Sequence, residues 1–287
     1  MTDEALTEAL TVSSKADFSA IYGQPDPRAY FRALVPLDYQ VPQRALPVFE
    51  AVLAASGGRT VLDLCCSYGI NGALLRYDVD LAGIGARAAD PARAGVAPAA
   101  LIREDAAYYA RRLRRPALAV LGLDASAPAI DYGLRTGLLT GGWAEDLEAA
   151  DPSPALAAGL RDVDLVVCTG GVGYIGERTF DRILGAVPHP SRLWLAAFVL
   201  RVFDYAPIAA TLASYGLVTE RVPGPTFPQR RFADRDEADA ARQDVVARGL
   251  DPAGKEADGW FHADCYLTRP ASAAEATPIS TLLRDAR

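Results

Sequence analysis

The chain has two histidines, His189 and His262, and two lysines, Lys15 and Lys255. Neither histidine has a partner at metal-ligand spacing, so no metal centre is expected. Neither neighbours a serine or cysteine nucleophile, and no Gly-x-Ser-x-Gly turn occurs, which excludes the usual hydrolase arrangements. The four cysteines (65, 66, 168 and 265) form no Cys-x-x-Cys pair and no spaced framework. They read as small buried residues of a reducing compartment. Apolar runs such as Leu193–Leu200 stop well short of a membrane span, so no membrane partner is expected. Positive charge is outweighed, with 29 Lys and Arg against 36 Asp and Glu. Arginine supplies nearly all of it, and the net charge is −7. A broad phosphate-binding footprint needs the opposite balance, so nucleic acid is not an expected partner. The run Arg111, Arg112, Arg114, Arg115 beside Tyr108 and Tyr109 reads as a solvated helix face. The N-terminus, Met-Thr-Asp-Glu-Ala-Leu-Thr-Glu, is acidic where a secretory signal is basic, which points to a cytoplasmic protein.

What is present is ample apolar content, 51% over 287 residues, enough for one large core with decorations. From about residue 60 strands and helices alternate, which predicts a parallel sheet covered on both faces. Strands are expected at 60–65, 117–123, 143–147, 163–169 and 192–201, and a closing pair at 217–222 and 259–268. Helices are expected from residue 70, at 127–139 with Ser126 as N-cap and Pro128 in the first turn, at 177–186 and at 204–215. Three segments are extra. Residues 1–55 carry Phe18, Tyr22, Tyr30, Phe31 and Tyr39 and read as a helical lid. Residues 78–116 and 223–258 read as insertions that build a lid and substrate pocket. The body is then 56–269, and 270–287 reads as a loose tail. The apolar N-terminal segment suits capping its own site or pairing with a second copy, so monomer and homodimer both stay open.

Residues 60–75, Thr-Val-Leu-Asp-Leu-Cys-Cys-Ser-Tyr-Gly-Ile-Asn-Gly-Ala-Leu-Leu, are the most informative stretch. A short apolar strand ends in the acid Asp63, passes through a turn of small residues and enters an apolar helix. Such a turn gathers backbone N–H groups and a carboxylate at one sheet edge, where α/β folds bind nucleotide-like ligands. It resembles motif I of the class I S-adenosylmethionine (SAM) dependent methyltransferases, Asp-x-Gly-x-Gly-x-Gly, with Cys65 and Ser67 at the first two glycines and Gly69 kept. The resemblance implies a Rossmann-like three-layer α/β sandwich whose mostly parallel seven-stranded sheet ends in an antiparallel hairpin. It also implies SAM as co-substrate. Asp63, Cys65, Ser67 and Gly69 would meet the methionine part, and Asp124 with Ala125 after the second strand the ribose. Asp146-Leu147 after the third strand would meet the adenine, and Thr169-Gly170 after the fourth would lie beside the transferred methyl. A sulfonium cannot accept or donate hydrogen bonds, so aromatic faces are its natural neighbours. Tyr174, Tyr30 and Tyr22 are the candidate catalytic residues, with Tyr132 as a further wall.

The expected reaction is methyl transfer to a small-molecule acceptor. An alternative within the superfamily uses SAM as sole substrate, forming azetidine-2-carboxylate and methylthioadenosine. A third reading comes from Gly171-x-Gly173-x-x-Gly176, a literal Gly-x-Gly-x-x-Gly between strand and helix. It predicts an NADP-dependent oxidoreductase, with Arg201 at the end of the next strand to receive the 2′-phosphate. Sparse charge in the lid, with Arg28 beside the aromatics, suggests a partly apolar or anionic acceptor.

Overall fold

The computed structural model describes residue 21 and residues 23–286. Along the chain, α1 (Arg28–Leu34) and α2 (Val41–Ser56) precede β1 (Thr60–Leu64) and α3 (Ile70–Arg76). Next come α4 (Leu81–Ala89), α5 (Pro98–Ala110), β2 (Ala119–Asp124), α6 (Ala127–Thr136) and β3 (Gly141–Ala144). They are followed by α7 (Pro154–Gly159), β4 (Leu165–Thr169), α8 (Glu177–Ala186), β5 (Trp194–Leu200) and α9 (Ala206–Ser214). β6 (Leu217–Arg221), β7 (Phe227–Arg231), α10 (Arg235–Ala247), β8 (Trp260–Pro270), α11 (Ala271–Ala276) and α12 (Ile279–Leu282) complete it. The helix starts follow local chemistry. Ser126 Oγ accepts from Ala129 N at 3.3 Å at the head of α6, and Asp234 does the same for Glu237 N at 2.8 Å ahead of α10.

The strands lie in the order β3-β2-β1-β4-β5-β8-β6, with β7 also on β8. β1 to β5 are parallel, and β8 runs antiparallel to β5, β6 and β7. Alternate residues of β1 and β4 feed opposite cores. Val61 and Val167 face α2, where Phe49 meets Phe198 edge-on at 5.5 Å. Leu62, Leu64, Val166 and Cys168 face α8 and α9 through Phe180, Ile183, Leu184, Ile208 and Leu212. β5 is buried throughout, as a central strand covered on both sides must be.

Four expectations change. The sheet has eight strands rather than seven, because residues 223–258 add β7 and α10. β6 and β7 share one edge of β8, which the 223–226 segment with Pro223 and Pro225 interrupts. α2, expected in a lid, is instead one covering layer of the sheet. Residues 270–286 are tied down: Leu283 and Ala286 are buried against the core, and the buried Arg269 donates to the Ala273 and Thr277 carbonyls. The arginine run continues past the end of α5 rather than forming a helix face. Arg112 stacks on Tyr108 at 3.8 Å, and Arg114 and Arg115 both reach Glu50. No helix among the described residues is long and apolar enough to cross a membrane.

Candidate active site

The chain order reverses between β1 and β4, since β2 and β3 lie to one side and β4 and β5 to the other. At such a switch point the loops leaving two neighbouring strands diverge and open a crevice at the carboxyl edge. A cavity of about 520 Å³ sits there. Cys65, Ser67, Asp124, Ala125, Asp146, Leu147, Thr169 and Gly170 all line it, as do Tyr30 and Tyr174. Asp63, within β1, and Gly69, in the turn that follows, do not line the cavity. Tyr22 lies outside the described residues. Tyr132 is buried, with its hydroxyl donating to Asp105 at 2.9 Å, so it belongs to the core and not to the cavity wall.

The turn keeps the glycine conformation without the glycines. Cys65 and Ser67 have φ of 57° and 50°, and Gly69 has 81°. A non-glycine residue held there costs about 1–2 kcal/mol, and such strain clusters where geometry serves a ligand. Two features hold the turn in place. The Asp124 carboxylate accepts from Ser67 N (Oδ2, 2.8 Å) and Ser126 N (Oδ1, 2.9 Å), bridging the first and second strand ends. The Tyr68 hydroxyl sits 2.9 Å from the carbonyls of both Ile21 and Gln24, which fastens the N-terminal segment to the turn. Ser67 Oγ is buried with no partner. Ser67→Gly removes both the strain and an unsatisfied hydroxyl, against a Gly entropy cost of roughly 0.5–1 kcal/mol. The variant is expected to unfold at a higher urea midpoint than the parent, and an unchanged or lower midpoint would show that the turn is not strained.

Sequence reasoning passed over Asn71, the chain's only asparagine. It stands in the first turn of α3, and its amide donates to Asp63 Oδ1 at 2.8 Å and Thr169 Oγ1 at 3.1 Å. Both amide hydrogens are thus spent. Its Oδ1 is buried without a partner, on a residue that lines the cavity. A lone amide in the otherwise apolar start Ile-Asn-Gly-Ala-Leu-Leu was the available signal. Beneath it Asp63 is fully buried, and Oδ2 has no partner. Burial pushes its carboxyl up to about 7; the Asn71 hydrogen bond opposes this, and the Asp124 charge adds to it. Burial also raises Asp124, while the Ser126 and Ser67 N–H groups pull it back. The Cys65 thiol is held well above its ordinary range, first by contact with the Cys168 thiol and then by burial.

Asp146 is exposed and caps its own turn, accepting from Glu148 N at 2.8 Å through Oδ1. Glu148, also unremarked in the sequence, reaches across to the head of α8 and takes Gly176 N and the Thr179 hydroxyl. Glu145 and Tyr39 complete the wall. Gly171 is glycine because a Cβ there would lie 2.7 and 2.8 Å from the sulfurs of Cys65 and Cys168, so the loop after β4 meets the turn after β1 backbone-first.

Three expectations do not survive. No residue of 78–116 or 223–258 lines the cavity, so of the extra segments only the N-terminal one reaches it among the described residues. Residues 78–116 instead form α4 and α5, held by Asp105, which accepts from Arg87, Arg93 and Tyr132. Arg28 is no anion site, because it grips Asp26 and the carbonyls of Arg93, Ala94 and Val96. Arg201 is buried against Glu256 at 2.5 Å and cannot receive a 2′-phosphate. A Cβ at Gly173 would collide with the Phe203 ring at 2.3 Å, so that glycine serves packing.

No protein-family model matches the chain, and no curated protein does. Among solved structures it is similar to magnesium protoporphyrin IX methyltransferase from Synechocystis PCC 6803 with bound SAM, at 11% identity and a TM-score of 0.38, covering 93% of this chain and 91% of that one. It is also similar to the plantazolicin methyltransferase BpumL with S-adenosylhomocysteine (SAH), at 9% identity and 0.41, covering 92% and 95%. A TehB-like SAM-dependent methyltransferase from Corynebacterium glutamicum aligns at 16% and 0.37, covering 77% and 86%. Strand order, parallel pairing of β1 to β5 and the antiparallel closing strand establish that this chain has the Rossmann-like α/β fold implied by its resemblance to class I SAM-dependent methyltransferases.

Proposed function

We propose that the chain is a SAM-dependent methyltransferase acting on a small molecule. The observation that carries this reading is the convergence on one cavity of the turn after β1, Asp124 at the end of β2, Asp146 after β3 and Thr169-Gly170 at the end of β4. Nucleosides demand a carboxylate for the ribose diol and apolar walls for the base, and the Asp124 and Asp146-Leu147 positions supply both. The residues present also fit the charge of SAM. Among the described residues the cavity is lined by the carboxylates of Asp124, Glu145 and Asp146 and by no Arg, Lys or His. A sulfonium and an ammonium suit such a wall.

The sulfonium methyl, when bound, is the activated electrophile that such chemistry needs. The chain's own task is binding, alignment and exclusion of water. Asp124 would accept from the ribose hydroxyls while holding the turn. Tyr30, only 2% exposed, and Tyr39 would wall the reacting end, and Tyr174, 54% exposed, stands at the mouth. The acceptor that suits the carboxylates of this wall is neutral or cationic rather than anionic.

Calorimetry with SAH is the direct test. Binding in the micromolar range or tighter is expected, with no detectable binding of NADP. Absence of SAH binding overturns the reading. Incubation with SAM alone, followed by mass spectrometry, separates transfer from cyclisation, since methylthioadenosine with azetidine-2-carboxylate would appear only for the latter.

A further inference from the structure

We infer that Cys65 and Cys168 form a redox pair, and that a disulfide between them closes the cavity to its ligand. The identity of that ligand rests on the SAM reading; the bond itself does not. The four cysteines, all free thiols, divide between the two faces of the sheet. Cys66 and Cys265 belong to the core under α2, whereas Cys65 and Cys168 pack into the core under α8 and α9. In the parallel β1–β4 ladder Leu64 is paired with Cys168, so Cys65 follows one residue beyond it. Neighbouring strands lie about 4.8 Å apart and disulfides span Cα separations of about 4.4–6.8 Å, so that offset is within reach. The two thiols already touch, and their sulfurs lie 2.7 and 2.8 Å from where a Gly171 Cβ would stand. Cys168 is 1% exposed, but Cys65 lines the cavity. A small oxidant entering there meets one sulfur with the second directly behind it. A use for the sulfur also accounts for the backbone. Cys65 holds a φ of 57° where glycine would be unstrained, and strain of this kind is kept where it serves a site.

The oxidant that fits is a hydroperoxide. The Cys65 thiolate attacks one peroxide oxygen, the O–O bond breaks, and a sulfenic acid forms on Cys65 as water or an alcohol leaves. The Cys168 sulfur then attacks that of Cys65, and the departing hydroxide takes the Cys168 proton away as water. The two thiols lose two electrons and two protons, and the peroxide gains them. The Cys168 contact, burial and the charges of Asp124 and Cys66 all hold the Cys65 proton on, so the pair stays reduced until oxidant is supplied. Bonding draws the sulfurs from contact to about 2.05 Å. The turn after β1 is thereby pulled toward the end of β4, against Gly171. Cys65, Gly170 and Gly171 all line the cavity, so its wall changes shape where the methionine part would lie.

Peroxide treatment of the ligand-free protein, followed by alkylation and peptide mass spectrometry, reads the bond directly. A loss of about 2 Da and a Cys65–Cys168 crosslink are expected, both reversed by dithiothreitol. Cys65→Gly and Cys168→Ala should form no crosslink, and Cys66→Ala should still form it. The bond closes a loop of about 100 residues, so the oxidised protein should melt several degrees higher than the reduced one. Its SAH affinity should nevertheless fall at least tenfold, and saturating SAH should slow the crosslinking by covering Cys65. Oxidation of Cys65 without a crosslink overturns the inference, as does a crosslinked protein that binds SAH as well as the reduced one. If the crosslink forms and SAH binds neither form, the SAM reading fails, and the control of SAM binding falls with it.

Discussion

Asp124→Ala is expected to cost both ligand and fold. Its carboxylate accepts from two backbone N–H groups in different loops, Ser67 N and Ser126 N, and on our reading it also accepts from a ribose. Hydrogen bonds to a charged group are worth about 1.5–3 kcal/mol each. Removing the side chain therefore leaves two half-buried donors unpaired and frees a strained turn. A stability loss of about 2–4 kcal/mol is expected, read as a lower urea midpoint. SAH affinity should fall by about 100-fold, equivalent to ~2.7 kcal/mol. Asp124→Asn sharpens the test. Its amide keeps one acceptor oxygen but turns an N–H toward the other backbone donor, so it should recover part of the stability and little of the affinity. If Asp124→Ala binds SAH as well as the parent, the ribose acid lies elsewhere.

The second large effect lies away from the cavity. Arg230, 1% exposed, donates to Glu237 through both terminal nitrogens at 2.8 and 2.6 Å and packs over the Phe261 ring at 4.9 Å. Arg230→Met strands a buried carboxylate and is expected to destabilise the protein by about 3–5 kcal/mol. The double variant Arg230→Met, Glu237→Leu removes both charges and should regain most of that loss, because desolvation offsets much of a buried pair's attraction. Denaturant unfolding of the two variants decides it. A double variant as unstable as the single one would mean that Arg230 acts through something other than its partner. The consequence reaches the site: neighbouring Gln229 lies against Gly170, and its carbonyl accepts from Gln40 N at 2.8 Å. Loosening β7 should therefore also weaken SAH binding.

Local chemistry made the central architecture legible. The β1 to β5 strands are short apolar runs ended by polar or glycine turns, and such runs carry their own period and punctuation. Strand ends shifted by one to three residues, most at β3, which spans Gly141–Ala144 and leaves Asp146 in the following loop. Two glycines ahead of Trp143 disguised that strand. The insertions were visible as excess length, but their role was not, because nothing local says whether α4 and α5 roof a cavity or brace a flank. Asp105, Arg87 and Arg93 settle that through contacts made only in the folded chain. Arg28 and Arg201 show the same limit. Each reads as a free cation in sequence, and the fold engages both: Arg28 pairs with nearby Asp26 and donates to carbonyls 65 to 68 positions away, and Arg201 meets Glu256, 55 positions away.

The sequence alone determined which edge of the sheet holds the site, because an acid or a tight turn after each of four successive parallel strands necessarily lands on the same edge. At Cys65 and Ser67 the sequence showed only small residues standing for two motif glycines, and the structure shows that they keep the glycine φ. Only the tertiary structure decided how the site is charged. Asp63, Asn71 and Thr169 come from β1, α3 and the end of β4, and what each does depends on the others' hydrogen-bond capacity being used up. Burial, unlike periodicity, is set by everything packed around a residue, so the orphaned oxygens of Asp63 and Asn71 belong to the fold and not to any segment of it.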